Sequence, residues 1–107
     1  NGLQITGRTE EVTQLAPLGD KFSAFGYAVR EVDGNDVAAL VRIFDQIPLE
    51  KGTPNLILAR TTKGKGISFI EDQVGWHHHV PNDEEFAAAM SELQLAEEAW
   101  QVQYGTR

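Results

Sequence analysis

The chain contains no cysteine. Disulfide scaffolds, zinc–thiolate centres and cysteine nucleophiles are therefore excluded. Basic residues are scarce: nine Lys and Arg stand against sixteen Asp and Glu, a net charge of -7. A nucleic-acid binder carries the opposite footprint, so no nucleic-acid partner is expected. No apolar run approaches the roughly 20 residues of a membrane-crossing helix, so no membrane partner is expected either. No basic-then-apolar leader opens the chain, and a cytoplasmic location is the expectation. What remains is 107 residues, 41% hydrophobic and 23% charged. That is ordinary for a globular chain and too apolar for a disordered one. The length corresponds to one domain or part of one. Asn1-Gly2 is turn chemistry rather than a usual domain start, so the chain reads as a piece whose upstream part is absent.

Hydrophobic spacing sets out the organisation. Leu3 and Ile5 alternate with Gln4 and Thr6 in a short extended stretch. Pro17 suits a helix start, and Leu18, Phe22 and Phe25 follow at helical spacing. Gly26 suits the left-handed position that ends such a helix. Tyr27 to Val32 then reads as a strand, closed by a turn at Asp33-Gly34-Asn35-Asp36. Val37, Leu40, Val41, Phe44 and Ile47 fall on one helical face, and Pro48 stops that helix. Asn55 to Thr61 is a bounded apolar run, the pattern of a strand buried on both faces. Strand, helix and strand together predict a βαβ unit with parallel strands. Asn82 with Glu85 makes a capping-box start for a long last helix. Its stripe of Phe86, Ala89, Met90, Leu93, Ala96, Trp100 and Tyr104 reads as packing rather than a cofactor box.

Charge is unevenly spread. Residues 82–106 carry six acids and no base, while Arg60, Lys63 and Lys65 precede three adjacent histidines. Loops after parallel strands lie at the carboxyl edge of a sheet, where open α/β folds bind ligands. Lys63-Gly64-Lys65-Gly66 occupies such a place, and glycines let backbone amides approach a phosphate. Read alone, the loop is more simply a solvated, flexible connection. His77, His78 and His79 point to alternate faces if the segment is extended, so three ligands to one metal are not expected. The plainer reading is one functional or buried histidine with two solvated neighbours.

Taken in order, several segments resemble transketolase. They are Asn1-Gly2-Leu3-Gln4-Ile5-Thr6-Gly7, the block from Phe22 to Asp36, Ala59-Arg60-Thr61-Thr62-Lys63-Gly64-Lys65-Gly66, and Trp76-His77-His78-His79-Val80-Pro81-Asn82-Asp83. Their spacing matches from residue 1 to about 95. The form most resembled is the bacterial amino-terminal subunit of a split enzyme. The resemblance implies an α/β fold, with a partial parallel sheet flanked by helices. Residues 1–107 would form the carboxyl-proximal part of the diphosphate-binding domain. The family moves a two-carbon ketol unit between sugar phosphates with thiamine diphosphate and magnesium. By the resemblance, Asn1 gives magnesium its side-chain oxygen and Leu3 its backbone carbonyl. Ile5 would pack on the cofactor rings and Lys63 would approach the diphosphate. His77 would face both cofactor and substrate.

The family often has Gly and Lys where His78 and His79 stand here. The glutamate that activates the aminopyrimidine, and the Gly-Asp-Gly start of the diphosphate motif, are not in this chain. Partners are therefore expected: sugar phosphate substrates, and the rest of the enzyme or a carboxyl-terminal subunit, in a homo- or hetero-oligomer. Alone, the chain should be inactive. Two rival readings are another thiamine diphosphate enzyme, such as deoxyxylulose-phosphate synthase, and a non-catalytic histidine-rich metal-binding module.

Overall fold

A computed structural model describes residues 1–105. It divides into two units, Asn1–Thr62 and Lys63–Arg107, each built on its own logic.

The first unit opens with a small antiparallel hairpin. Strands β1 (Leu3–Gln4) and β2 (Gly7–Arg8) pair Leu3 with Arg8 and Gln4 with Gly7. Ile5 and Thr6 make the tip, where Ile5 has φ 32°. The short helix α1 (Thr9–Val12) follows, then α2 (Leu18–Ala24) with Pro17 at its N-cap. Gly26 takes φ 87° beyond its end, the left-handed backbone that glycine adopts without steric cost.

Next comes the βαβ unit. β3 (Ala28–Asp33) and β4 (Asn55–Arg60) are parallel, in register from Ala28 opposite Asn55 to Asp33 opposite Arg60. Helix α3 (Val37–Phe44) lies between them, capped by Asp36, whose Oδ1 accepts the Ala39 N–H at 3.0 Å. It ends at Phe44, a turn earlier than the apolar spacing to Ile47 suggests. Asp45 closes it, and residues 46 and 47 are held by turn bonds to Ile43 and Phe44 instead.

The fold is therefore α/β, with a small parallel sheet flanked by helices. The expected strand pair is present, displaced by one residue at β3. One expectation fails in degree. β4 is half-buried from Asn55 to Leu58 and exposed at Ala59 and Arg60, not buried on both faces. The faces of a parallel strand are covered by helices, and the helices of this unit pack chiefly on β3. Ala28 and Ile43 are the buried apolar residues of this unit among those described.

The second unit is a run of turns, a 3₁₀ turn at Val74–His77, and helix α4 (Asp83–Tyr104). The capping box read from the sequence is present in both directions. Asn82 Oδ1 accepts the Glu85 N–H, and Glu85 Oε2 accepts the Asn82 N–H, each at 2.9 Å. The α4 stripe departs from expectation. Ala89 is buried, but Phe86, Met90, Leu93, Trp100 and Tyr104 are all exposed. The helix geometry is as read, while most of that face is left uncovered by the described residues. No helix is long and apolar enough to cross a membrane among the described residues.

Candidate functional site

In the first unit, the loops at the carboxyl ends of the parallel strands are tightly fitted. Gly34 N–H donates to the Arg60 carbonyl at 2.7 Å, and Asn35 Oδ1 accepts the Thr62 N–H at 2.7 Å. A Cβ at Gly34 would meet Thr61 Cγ2 at 2.6 Å and Ala59 Cβ at 2.8 Å. Glycine is thus required for the close approach of the two chain segments. Arg60 makes a bidentate pair with Glu31 across the sheet, Nε to Oε2 at 3.0 Å and Nη2 to Oε1 at 2.9 Å. The pair holds the Glu31 carboxyl below the ordinary carboxylate value, chiefly through these hydrogen bonds.

A cleft of about 390 Å³ opens at this edge, lined among others by Asn1, Leu3, Glu10, Pro17, Leu58 and Arg60. Asn1 and Leu3, singled out as magnesium donors, therefore share a cleft with the carboxyl end of β4. Asn1 Oδ1 accepts the Leu3 N–H at 3.0 Å, which fixes the asparagine side chain over its own turn. An amide oxygen keeps a second lone pair beyond that bond. An amide oxygen and a backbone carbonyl are hard donors of the kind magnesium takes, but two of them would fill only part of its shell. Ile5 lies at the hairpin tip, is exposed, and is not part of the cleft lining.

In the second unit, the Lys63-Gly64-Lys65-Gly66 loop is tied down by several hydrogen bonds and close contacts. Gly64 has φ 70°, and a Cβ there would run into Ile70. The Lys63 carbonyl accepts the Asp72 N–H at 2.9 Å. Glu71 folds back to accept the Gly66 N–H at 2.9 Å and to pair with Lys65 Nζ at 3.2 Å. A carboxylate of the chain itself thus takes up one amide and one ammonium of the loop. Glu92, on α4, accepts from Ser68 N at 2.6 Å and Ser68 Oγ at 2.7 Å. Both carboxyls are held below their ordinary value. The Gly66 N–H and then Lys65 act on Glu71, and the Ser68 hydroxyl and N–H act on Glu92. Neither acid carried a motif in the sequence, because their partners are backbone amides. Half-buried Lys63 is left as the loop cation without an ion pair among the described residues.

The three histidines do not alternate, because the segment is not extended. His77 ends the 3₁₀ turn, and the His78 ring lies against it, centroids 4.4 Å apart at 83°. The premise that their side chains leave in opposite directions is corrected by that turn. His79 goes elsewhere. Its ring stands edge-on to Trp76 at 4.3 Å, and its Nε2 lies 2.8 Å from Glu85 Oε2. All three are exposed, so none of them is the buried histidine that the plainer reading allowed. Among the described residues, no three His, Cys, Asp or Glu side chains gather where they could hold a metal ion. His79, paired with Glu85, is drawn away from the other two. Of the five residues expected at a site, Asn1, Leu3 and Ile5 belong to one hairpin. Lys63 and His77 belong to the second unit.

No family model matches the chain. Individual proteins do. The chain is 41% identical over 93 residues to an apulose-4-phosphate transketolase subunit of Phocaeicola vulgatus. It is 43% identical over 93 residues to the protein of the same name from Actinobacillus succinogenes. It is 39% identical over 94 residues to a 6-deoxy-6-sulfo-D-fructose transketolase subunit of a Clostridium species. These matches take in 87 or 88% of this chain but only 33 or 34% of each relative, so the chain spans about a third of their length. With the parallel βαβ unit and the ordered Trp76-His77 segment in place, this similarity across nearly the whole chain makes it a member of the transketolase family.

Proposed function

We propose that residues 1–107 are the carboxyl-proximal part of the diphosphate-binding domain of a transketolase dependent on thiamine diphosphate and magnesium. The observation that supports this best is the similarity of 87 or 88% of this chain to part of three transketolase subunits. The names of those relatives specify a sugar phosphate and a sulfo-sugar, both of which carry an anionic group. The substrate class we assign is therefore a ketose bearing an anionic terminus, with sugar phosphates foremost. The relatives are named subunits, and the partner we assign is the protein that completes the enzyme, such as a carboxyl-terminal subunit.

Asn1 Oδ1 and the Leu3 carbonyl would hold the magnesium, and Lys63 would face the diphosphate. Bound thiamine diphosphate supplies the carbon nucleophile that carries the two-carbon unit. This chain's own contribution is orientation and proton handling. His77 presents an imidazole that can donate a hydrogen bond or move a proton near neutral pH, which carboxylates and lysines do less readily.

The test is His77→Ala in the assembled enzyme. General acid–base help is worth about 10²–10⁴ in rate, so kcat for ketol transfer should fall by that range with a smaller change in cofactor affinity. If His77→Ala keeps more than a tenth of the activity, the assigned role is wrong.

A further inference from the structure

Trp76 and His79 stand three residues apart and touch, which closes one turn of chain. His77 and His78 are the two residues inside that turn. One side of the closure is packed, with the Trp76 ring resting on Phe69 at 5.6 Å. The other side is hydrogen-bonded. His79 Nε2 meets Glu85 Oε2, the same oxygen that accepts the Asn82 N–H. Glu85 is thus an ordered partner, fixed by the first turn of α4 rather than swinging from its surface. Its carboxyl is held below the ordinary value, first by the Asn82 N–H and then by His79. As a carboxylate it can only accept, so His79 Nε2 is the donor.

We propose that His79 is a positioning residue, which clasps Trp76 and Glu85 and thereby holds the His77–His78 pair in one orientation. The proposal rests on the reading of His77 as the imidazole that faces substrate. The physical reason is entropic. Exposed side chains change rotamer within picoseconds to nanoseconds, and His77 is exposed. A closed turn on both sides limits where the two rings can be. An isolated exposed contact of this kind would be a weak device, but here its acceptor is already held by a backbone bond and its donor ring is packed on an indole.

The experiment compares His79→Ala with His79→Gln. The glutamine amide can donate to Glu85 where alanine cannot. In the full chain, proton–nitrogen spectra should show the Nε2–H form of His79 and cross-peaks between the His77 and His78 rings. His79→Ala should abolish those cross-peaks, and His79→Gln should restore them. Helicity should be unchanged in both, because the Asn82–Glu85 capping bonds do not need His79. In the assembled enzyme, a small misplacement of a reacting group costs about 10²-fold at most, so His79→Ala should lower kcat roughly ten- to a hundredfold. KM should stay within about twofold, and His79→Gln should recover most of the rate. An intact His77–His78 pair in His79→Ala overturns the proposal. So does full activity of His79→Ala alongside a crippled His77→Ala. If His77→Ala is itself active, the functional reading fails, and the spectra still decide whether His79 positions the pair.

Discussion

Ile5 and Gly34 show how one residue can be placed by opposite demands. Ile5 is β-branched yet holds φ 32° at the hairpin tip, where such a side chain is a steric outlier. Strain of this kind costs about 1–3 kcal/mol and concentrates at functional sites. Ile5→Gly should release it, against about 0.4–1 kcal/mol of added unfolded-state freedom. The expected net is a gain on the order of 1 kcal/mol, read by thermal or urea unfolding. If Ile5 packs on a cofactor, the same change should weaken cofactor binding in the assembled enzyme. An Ile5→Gly chain that is both less stable and unaltered in cofactor binding would show that neither strain nor function keeps isoleucine there. At Gly34 the sign reverses. A methyl group would press into Thr61 and Ala59 from 2.6 and 2.8 Å. Overpacking of this sort costs about 1–3 kcal/mol, so Gly34→Ala should lower the unfolding midpoint clearly. A neutral result would mean that the turn after β3 can move away from β4.

At the scale of elements, the Lys63–Asp72 turns and α4 depend on carboxylates that stay ionised. Glu71, Glu85 and Glu92 are each held below the ordinary carboxylate value by the donors they accept from. A depressed carboxyl contributes stability that is present above its unfolded value and is lost as pH falls through its folded one. Circular dichroism and unfolding of this unit should therefore be level from pH 7 to about 5 and weaken below about 4. Glu92→Gln should flatten part of that loss. A pH profile unchanged by Glu92→Gln would remove the Ser68 contact from the account. These elements also show what the sequence made legible. The βαβ unit, the proline and glycine boundaries and the Asn82–Glu85 box follow from local spacing, and local spacing is what folds them. Glu71 on Gly66, Glu92 on Ser68 and the curl of His77–His79 were not legible. Each depends on a backbone amide or a ring meeting a side chain, and no residue pattern records that meeting. The α4 stripe lies between these cases: its periodicity names the apolar face but not what covers it.

For the whole chain, the apolar surface sets the next expectation. α4 exposes Phe86, Met90, Leu93, Trp100 and Tyr104, and β3 and β4 make a sheet of only two strands. Exposed apolar stripes and open strand edges favour association. The purified chain should therefore self-associate or need a complementary protein, and light scattering across a dilution series checks this. A stable monomer at all concentrations would count against it. Ligand binding should follow the same incompleteness. Magnesium takes near-octahedral coordination from oxygens, and Asn1 with Leu3 offers only two. Calorimetric titration of the chain alone with magnesium and thiamine diphosphate together should show no binding in the micromolar range. Adding the protein that completes the enzyme should restore it, and Asn1→Ala should then weaken it. Removing magnesium with a chelator from that complex should weaken cofactor binding as well, if Asn1 and Leu3 hold the metal as proposed. Micromolar binding by the isolated 107 residues would mean that a full ligand set lies within this chain and that Asn1 and Leu3 are not the core of it.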